Sequence, residues 1–365
     1  MASLANRVNQ GPAVQPSGMI NKPNVQQKLP TLPATLLPST VVARERDSKA
    51  AAAQILRTKR IRIAQDHVVR TAGKENGCPP GFKGRPEHIT DIYQGDDTSE
   101  ALVVAYVEHI YSYLHFREET RLKQNYMDEM SVNGRMRAIL MDWLVSVAYK
   151  FHMCQDTLFL AVDITDRFLA TPEIDVTKDE LQLVGVTAMF IASKFEEVYP
   201  PELDDFVYIA DNSCTKEQIL EAEMMITNQL NFDFTRPSPV HFLRRICKAA
   251  GASTEEYCMA KYICELSILD ITFVAVVPSM TAAAAMYLTL KYYPRELTPH
   301  LPFWNADMQY YSGHAEQEII PIATMLLESI KIAPKVKHQC IYKKYGSKMY
   351  FVADKATKYA GSIVL

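Results

Sequence analysis

Arg137 is the residue whose setting most demands a chemical answer. It lies in Met136-Arg137-Ala138-Ile139-Leu140-Met141-Asp142-Trp143-Leu144-Val145, a segment apolar nearly all round, which predicts a central helix packed on several sides. A buried guanidinium without a partner is strongly unfavourable. Asp166, in Ile164-Thr165-Asp166-Arg167-Phe168-Leu169, can supply a bidentate carboxylate from a neighbouring helix. The pair Arg137 and Asp166 reads as structural, not catalytic. No other constellation suggests catalysis. The nine histidines are scattered, and among 13 glycines there is no phosphate-binding loop of the Gly-x-Gly-x-x-Gly or Walker type and no Gly-x-Ser-x-Gly elbow. Seven cysteines at 78, 154, 214, 247, 258, 264 and 340 form no Cys-x-x-Cys pair, which argues against both a disulfide framework and a zinc site. The expectation is a reducing compartment, no metal, no cofactor and no enzyme activity. An interaction or regulatory module fits better.

The elements that would position such residues are helical. From about Asp96 onward apolar residues recur at helical spacing, as in Val103, Val107, Ile110, Tyr113 and Leu114. Breaks at Asn133-Gly134, Thr171-Pro172, Pro200-Pro201, Asp211-Asn212, Arg236-Pro237, Gly251, Pro278 and Pro294 leave about ten helices of ordinary length. Ala188 to Phe195 can be laid on Ala285 to Tyr292 at an offset of 97, and Glu217-Gln218 falls on Glu316-Gln317 at 99. One helical unit of about a hundred residues, used twice and joined at Arg236-Pro237-Ser238-Pro239, accounts for both coincidences.

The 365 residues and the net charge of -3 hide a division. Residues 1 to 86 carry 14 Lys and Arg against 4 Asp and Glu, and the rest carries 25 against 38, so a +10 segment precedes a -13 body. With one aromatic residue, Phe82, and 9 of the 20 prolines, the first 86 residues bury too little apolar surface to offset their ordering entropy, and they are expected to be disordered. The acidic body disfavours nucleic acid as a partner. No apolar stretch of signal-peptide length occurs in the first thirty residues, so secretion is not expected. Ile271 to Leu290 is twenty residues without a charge, the nominal length of a membrane span. Its Pro278-Ser279 pair instead marks a helix start, with Ala282 to Leu290 as a buried core helix and no membrane association.

Met136-Arg137-Ala138-Ile139-Leu140 with Asp142-Trp143-Leu144-Val145 resembles the signature of the cyclin box. The likeness continues through Asp166-Arg167-Phe168-Leu169, Leu181-Gln182-Leu183-Val184-Gly185, Ala192-Ser193-Lys194-Phe195-Glu196-Glu197 and Tyr199-Pro200-Pro201-Glu202. Phe242-Leu243-Arg244-Arg245 after Pro239, with Gly185 to Ile191, resembles B-type mitotic cyclins more than A-type ones. The resemblance covers about Tyr106 to Tyr350. It implies an all-α fold of two tandem five-helix cyclin folds, preceded by a disordered N-terminal tail and an N-terminal helix. The expected boundaries are 1–95 for the tail, 96–236 for the first fold and 237–365 for the second.

The resemblance further implies a regulatory subunit that binds and activates a cyclin-dependent kinase of mitotic type at G2/M. The alternatives are an A-type S/G2 cyclin or, from another class, a transcriptional cyclin or general transcription factor. Lys194 and Glu223, with Phe195, would contact the kinase; read without the family they are ordinary solvated charges. Tyr106, Ile110 and Tyr113 form one stripe at i, i+4 and i+7 on a helix expected from Ala101 to Glu118. By resemblance that stripe docks on the kinase, and its alternative is packing on the chain's own core. Met136, Ile139, Leu140, Trp143, Leu181, Gln182 and Ile209 match a patch that recruits substrates bearing Arg-x-Leu, although such a stripe also suits an ordinary core. Ser146 stands where the A-type pattern has an acid, and the link from Leu169 to Leu181 is about two residues longer. Lys74-Glu75-Asn76 resembles a degradation box read by the anaphase-promoting ubiquitin ligase, and no Arg-x-x-Leu box precedes residue 100. The basic cluster Arg57, Lys59, Arg60 and Arg62 reads first as a solvated charge run, its alternative being a nuclear-import or nucleic-acid patch. A location in nucleus and cytoplasm that changes through the cell cycle is expected.

Overall fold

The computed structural model describes residues 85–96, 103–120, 122, 126–127, 130–171, 174–293, 304–347 and 349–363. Lys74, Glu75 and Asn76, the cluster at 57–62 and the rest of residues 1–84 lie outside the described residues. Among the described residues all regular structure is helical. A lone helix α1 (Val107–Glu118) precedes α2 (Gly134–Lys150), α3 (Gln155–Leu169), α4 (Leu181–Glu196), α5 (Leu203–Ile209) and α6 (Lys216–Gln229). A second set follows: α7 (Pro239–Ala249), α8 (Thr254–Leu266), α9 (Pro278–Tyr292), α10 (Ala306–Ser312) and α11 (Glu316–Ile332). Two further helices, α12 (Cys340–Gly346) and α13 (Ala353–Ala360), complete the chain.

Local chemistry sets these ends. Asn133 caps α2 by accepting from Met136 N at 3.1 Å, and Thr215 and Ser253 form capping boxes with Gln218 and Glu256 at α6 and α8. Pro239 and Pro278 open α7 and α9, where a missing N–H costs nothing. Each set of five is built around one helix buried over most of its length, α4 packed on α3 and α6, and α9 packed on α8 and α11. The two matched stretches lie on these central helices, and Glu217-Gln218 and Glu316-Gln317 both open the helices packed beside them. The duplicated unit is therefore a structural repeat. In the first unit Gly185 admits a close helix crossing, since a Cβ there would stand 2.6 Å from Leu140 Cδ1.

Three expectations are corrected. Residues 85–96, expected to belong to the disordered tail, pack on the fold: Ile89 is buried, Thr90 N donates to Asp307 Oδ1 at 2.8 Å and Tyr311 donates to Thr90 O at 2.5 Å, so 85–96 lies along α10. A few anchor side chains and borrowed hydrogen bonds suffice there, without the periodicity that would reveal them. The helix expected from Ala101 begins at Val107, after a 3-10 turn over Val104–Tyr106. Among the described residues thirteen α-helices replace about ten, because α1, α12 and α13 lie outside the two five-helix units. The uncharged run from Ile271 breaks into a 3-10 turn, Ile271–Ala275, and then α9, with Ala282 to Leu290 buried. No described helix is long and apolar enough to cross a membrane.

Candidate interaction surfaces

Helix α1 divides sharply by face. Val107, Tyr111, Leu114 and His115 turn to the second unit: Tyr111 donates to His241 O at 3.0 Å and the His115 ring lies 4.8 Å from that of Phe242. The Arg245 guanidinium bonds Glu108 at 2.6 Å and covers the Tyr111 and Tyr311 rings at 4.4 and 4.9 Å. Buried Glu118 accepts from Ser279 N at 2.9 Å and from Ser279 Oγ at 2.8 Å, which caps α9, while His115 Nδ1 stands 2.7 Å away. Tyr106, at 64 % exposure, Ile110 and Tyr113 point outward, and Phe116 extends their line. The stripe is thus not core; α1 spends its other face on the fold.

Arg117 ties α1 to the junction between units through Thr235 O at 3.1 Å and the Asp233 carboxylate. Beside that junction exposed Phe232 and Phe195 each meet Phe234 edge-on, at 6.4 and 6.0 Å. Leu220 and Met224 on α6 and Val198 and Tyr199 after α4 are also exposed. Lys194 lies 4.0 Å over the Phe190 ring and forms an ion pair with Glu223. Lys194 is exposed and Glu223 half-buried, so solvent screens the pair and it contributes about 1 kcal/mol to the fold. Its charged ends can exchange each other for a partner at little cost.

The second surface lies where α2, α4 and α5 meet. Met136 and Ile139 are half-buried, whereas Leu140, Trp143, Leu181, Gln182 and Ile209 are buried. The exposed fringe is narrow, and the rest forms its floor. Trp143 Nε1 is buried without a hydrogen-bond partner among the described residues, an open donor beneath that fringe. Ser146 donates its hydroxyl to Trp143 O at 2.9 Å. Next to it, Asp142 Oδ1 accepts from Cys340 N at 2.8 Å, which seats α12 against α2. Burial, reinforced by Asp142, pushes the Cys340 thiol up to about 12.

Arg137 and Asp166 meet face to face, Nε to Oδ1 at 2.6 Å and the second nitrogen to Oδ2 at 2.8 Å, with Arg137 1 % exposed. Tyr126 donates to Asp166 Oδ1 at 2.7 Å, and the third guanidinium nitrogen donates to Ile268 O at 2.8 Å. Although burial works to lower it, the carboxylate holds Arg137 above its ordinary value. Each guanidinium nitrogen donates a bond, and the one to Ile268 O fastens the first unit to the second. Sequence reasoning did not find Tyr126 or Ile268. It also missed Glu265, a wholly buried acid that accepts from Gln155, Lys344 and Tyr345 between 2.7 and 2.9 Å and joins three elements. Among the described residues no cluster of three His, Cys, Asp or Glu could hold a metal.

The family Cyclin, N-terminal domain, matches residues 109–235, and Cyclin, C-terminal domain, matches 237–358. A G2/mitotic-specific cyclin-B of Marthasterias glacialis is 40 % identical over 280 residues, which span 76 % of this chain and 70 % of that protein. This chain belongs to the cyclin family. A G2/mitotic-specific cyclin-B1 of Xenopus laevis is 41 % identical over 280 residues, 74 % of this chain and 68 % of that one. A viral cyclin from herpesvirus saimiri shares the fold at a TM-score of 0.53 and 20 % identity, covering 60 % of this cyclin and 97 % of the viral chain. The boundary between the two matched domains falls at the Arg236-Pro237 junction, and the relatives place this cyclin among regulators of the cell cycle at G2/M and mitosis.

Proposed function

We propose that this cyclin binds and activates a cyclin-dependent kinase of mitotic type through the face that carries Tyr106, Ile110, Tyr113, Phe195, Lys194 and Glu223. The observation that carries this reading is the outward apolar stripe of α1, held rigid by its buried face and continuous with exposed aromatic and charged groups near the junction. A kinase helix must swing inward to complete the ion pair on which phosphoryl transfer depends, and a rigid helical surface that binds only that position selects it. The cyclin then contributes no reacting group. Its docking surface at Met136, Ile139, Leu140, Trp143, Leu181, Gln182 and Ile209 recruits substrates with Arg-x-Leu motifs, Leu filling the fringe while the Trp143 donor meets the peptide backbone. Lys74, Glu75 and Asn76 serve as the degron read by the anaphase-promoting ubiquitin ligase, and the protein moves between cytoplasm and nucleus.

The test is a reconstituted kinase assay on a short basic substrate. Lys194→Ala with Glu223→Ala should lower activation more than tenfold with the melting temperature unchanged, because both groups are peripheral to the core. Full activation by the double variant would overturn the assignment of this face.

A further inference from the structure

Residues 331–358 carry eight lysines and one acid, Asp354, a +7 segment on a body whose remainder from residue 87 is -20. Such a concentration on an acidic protein is a local field, not a general property of the surface. Three of these lysines are engaged at home: Lys331 with Glu328, Lys344 with Glu265 and Lys355 with Glu255. Lys335, Lys337 and Lys343 are exposed on the turn before α12 and on α12 itself. That turn is fixed by Gln339 Nε2 donating to Pro334 O at 2.9 Å, and α12 is seated against Asp142 and Ser146, beside Trp143 of the docking surface. One edge of the docking surface is therefore basic.

Beyond α12 the chain displays an apolar knob. Met349 is 77 % exposed, and Phe351, also exposed, has φ +52°, a left-handed conformation costly for a bulky side chain. Phe351 N donating to Ser347 O and Val352 N donating to Tyr345 O, both at 3.0 Å, hold it there. An outward Phe on a constrained backbone is placed for contact with something else.

Resting on the docking reading above, we infer that the docking surface extends across α12 and takes peptides in which acidic residues flank the apolar motif on the α12 side. Lys335, Lys337 and Lys343 receive the acids, and Phe351 with Met349 receives an apolar residue beyond them. Charge complementarity selects this occupant. The chain's own first 86 residues, at +10, are repelled from the same surface.

Fluorescence-anisotropy titrations of the full chain with labelled fifteen-residue peptides decide it. The peptides share a leucine-containing motif and carry either four acidic or four neutral flanking residues. The acidic peptide should bind at least tenfold tighter than the neutral one at low salt, with an advantage that shrinks as salt rises. Lys335→Glu with Lys337→Glu and Lys343→Glu should abolish that advantage, while Met136→Ala with Ile139→Ala weakens both peptides. If the lysine variant leaves the acidic peptide unaffected while the apolar variant weakens it, the inference is wrong and the docking reading stands. If neither variant has an effect, both fall. Equal lysine-dependent binding of a DNA duplex, or a lysine-dependent dimer of the chain alone, would also overturn the peptide assignment.

Discussion

Removing Arg137 is the most severe single test of how this cyclin is held together. Arg137→Ala deletes three charge-assisted bonds, two to Asp166 and one to Ile268 O, and leaves a buried carboxylate with Tyr126 as its remaining partner. Breaking a buried pair from one side costs about 3 to 5 kcal/mol, because the surviving charge keeps its desolvation penalty. The orphaned Ile268 carbonyl adds about 1 kcal/mol or more. For units of this size each kcal/mol shifts the melting temperature by roughly 2 to 4 °C, so the variant should melt roughly 10 °C or more below the parent. The assay is thermal unfolding followed by circular dichroism at constant ionic strength.

Two companion variants separate the contributions. Arg137→Lys keeps a cation near Asp166 but cannot reach both carboxylate oxygens and Ile268 O together, so its loss should be intermediate. Arg137→Met with Asp166→Leu removes both charges and should recover most of the stability, since an apolar replacement of a buried pair is often neutral. A parent-like melt for Arg137→Ala would refute the reasoning. So would a double variant less stable than Arg137→Ala, because the penalty would then not come from the uncompensated acid.

Gly185→Ala should cost about 1 to 3 kcal/mol by urea unfolding, since the new methyl would stand 2.6 Å from Cδ1 of the wholly buried Leu140, whose side chain must shift to admit it; an unchanged midpoint would show that Leu140 makes way at no cost. Ser146→Glu should tighten Arg-x-Leu peptides about tenfold by adding a charge-assisted bond at the rim of the docking surface, and equal dissociation constants would refute the role given to Ser146. Burial holds His314, 2.7 Å from Ser279 Oγ, below its usual value, so its neutral form stabilises the fold above pH ~6.5 and that contribution is lost as pH falls below it. His314→Asn should flatten the fall in stability as pH drops below about 6.5, and an identical slope in both proteins would remove His314 from the acid response.

The ion pair was legible because a charge inside an apolar helix has few fates, and Arg137 and Asp166 were the two that complemented each other. The repeat was legible for a related reason, since α4 and α9 are buried over most of their length and so keep similar apolar runs. Direction was harder to read. The sequence offers α1 two apolar faces, and the choice of Tyr106, Ile110 and Tyr113 as the outer one depends on Tyr111, His115 and Glu118 finding partners more than a hundred residues away. The docking surface shows the converse: the family pattern names seven residues, yet five of them are buried in the free chain. Spacing alone cannot distinguish a patch from its own floor. The lysines of 331–358 were hidden by summing charge over the whole body, where distant acids cancelled them.

Both interaction surfaces are presented chiefly by the first unit, while their supports come from the second. Helix α1 is fastened by Arg245, Phe242 and Ser279; α2 is braced by Ile268 O and by Cys340 N; and α3 is joined through Gln155 to Glu265. Each polar tie sets a group of α1, α2 or α3 against a partner in the second unit or in α12, where a small displacement leaves that group unsatisfied. Such ties respond sharply to distance, whereas apolar contacts slide. The second unit thus works as a jig that sets the angle of α1 to α4 and α6. Damage to it, even far from the exposed stripe, reaches the surface proposed to bind the kinase by moving α1 relative to Lys194 and Glu223.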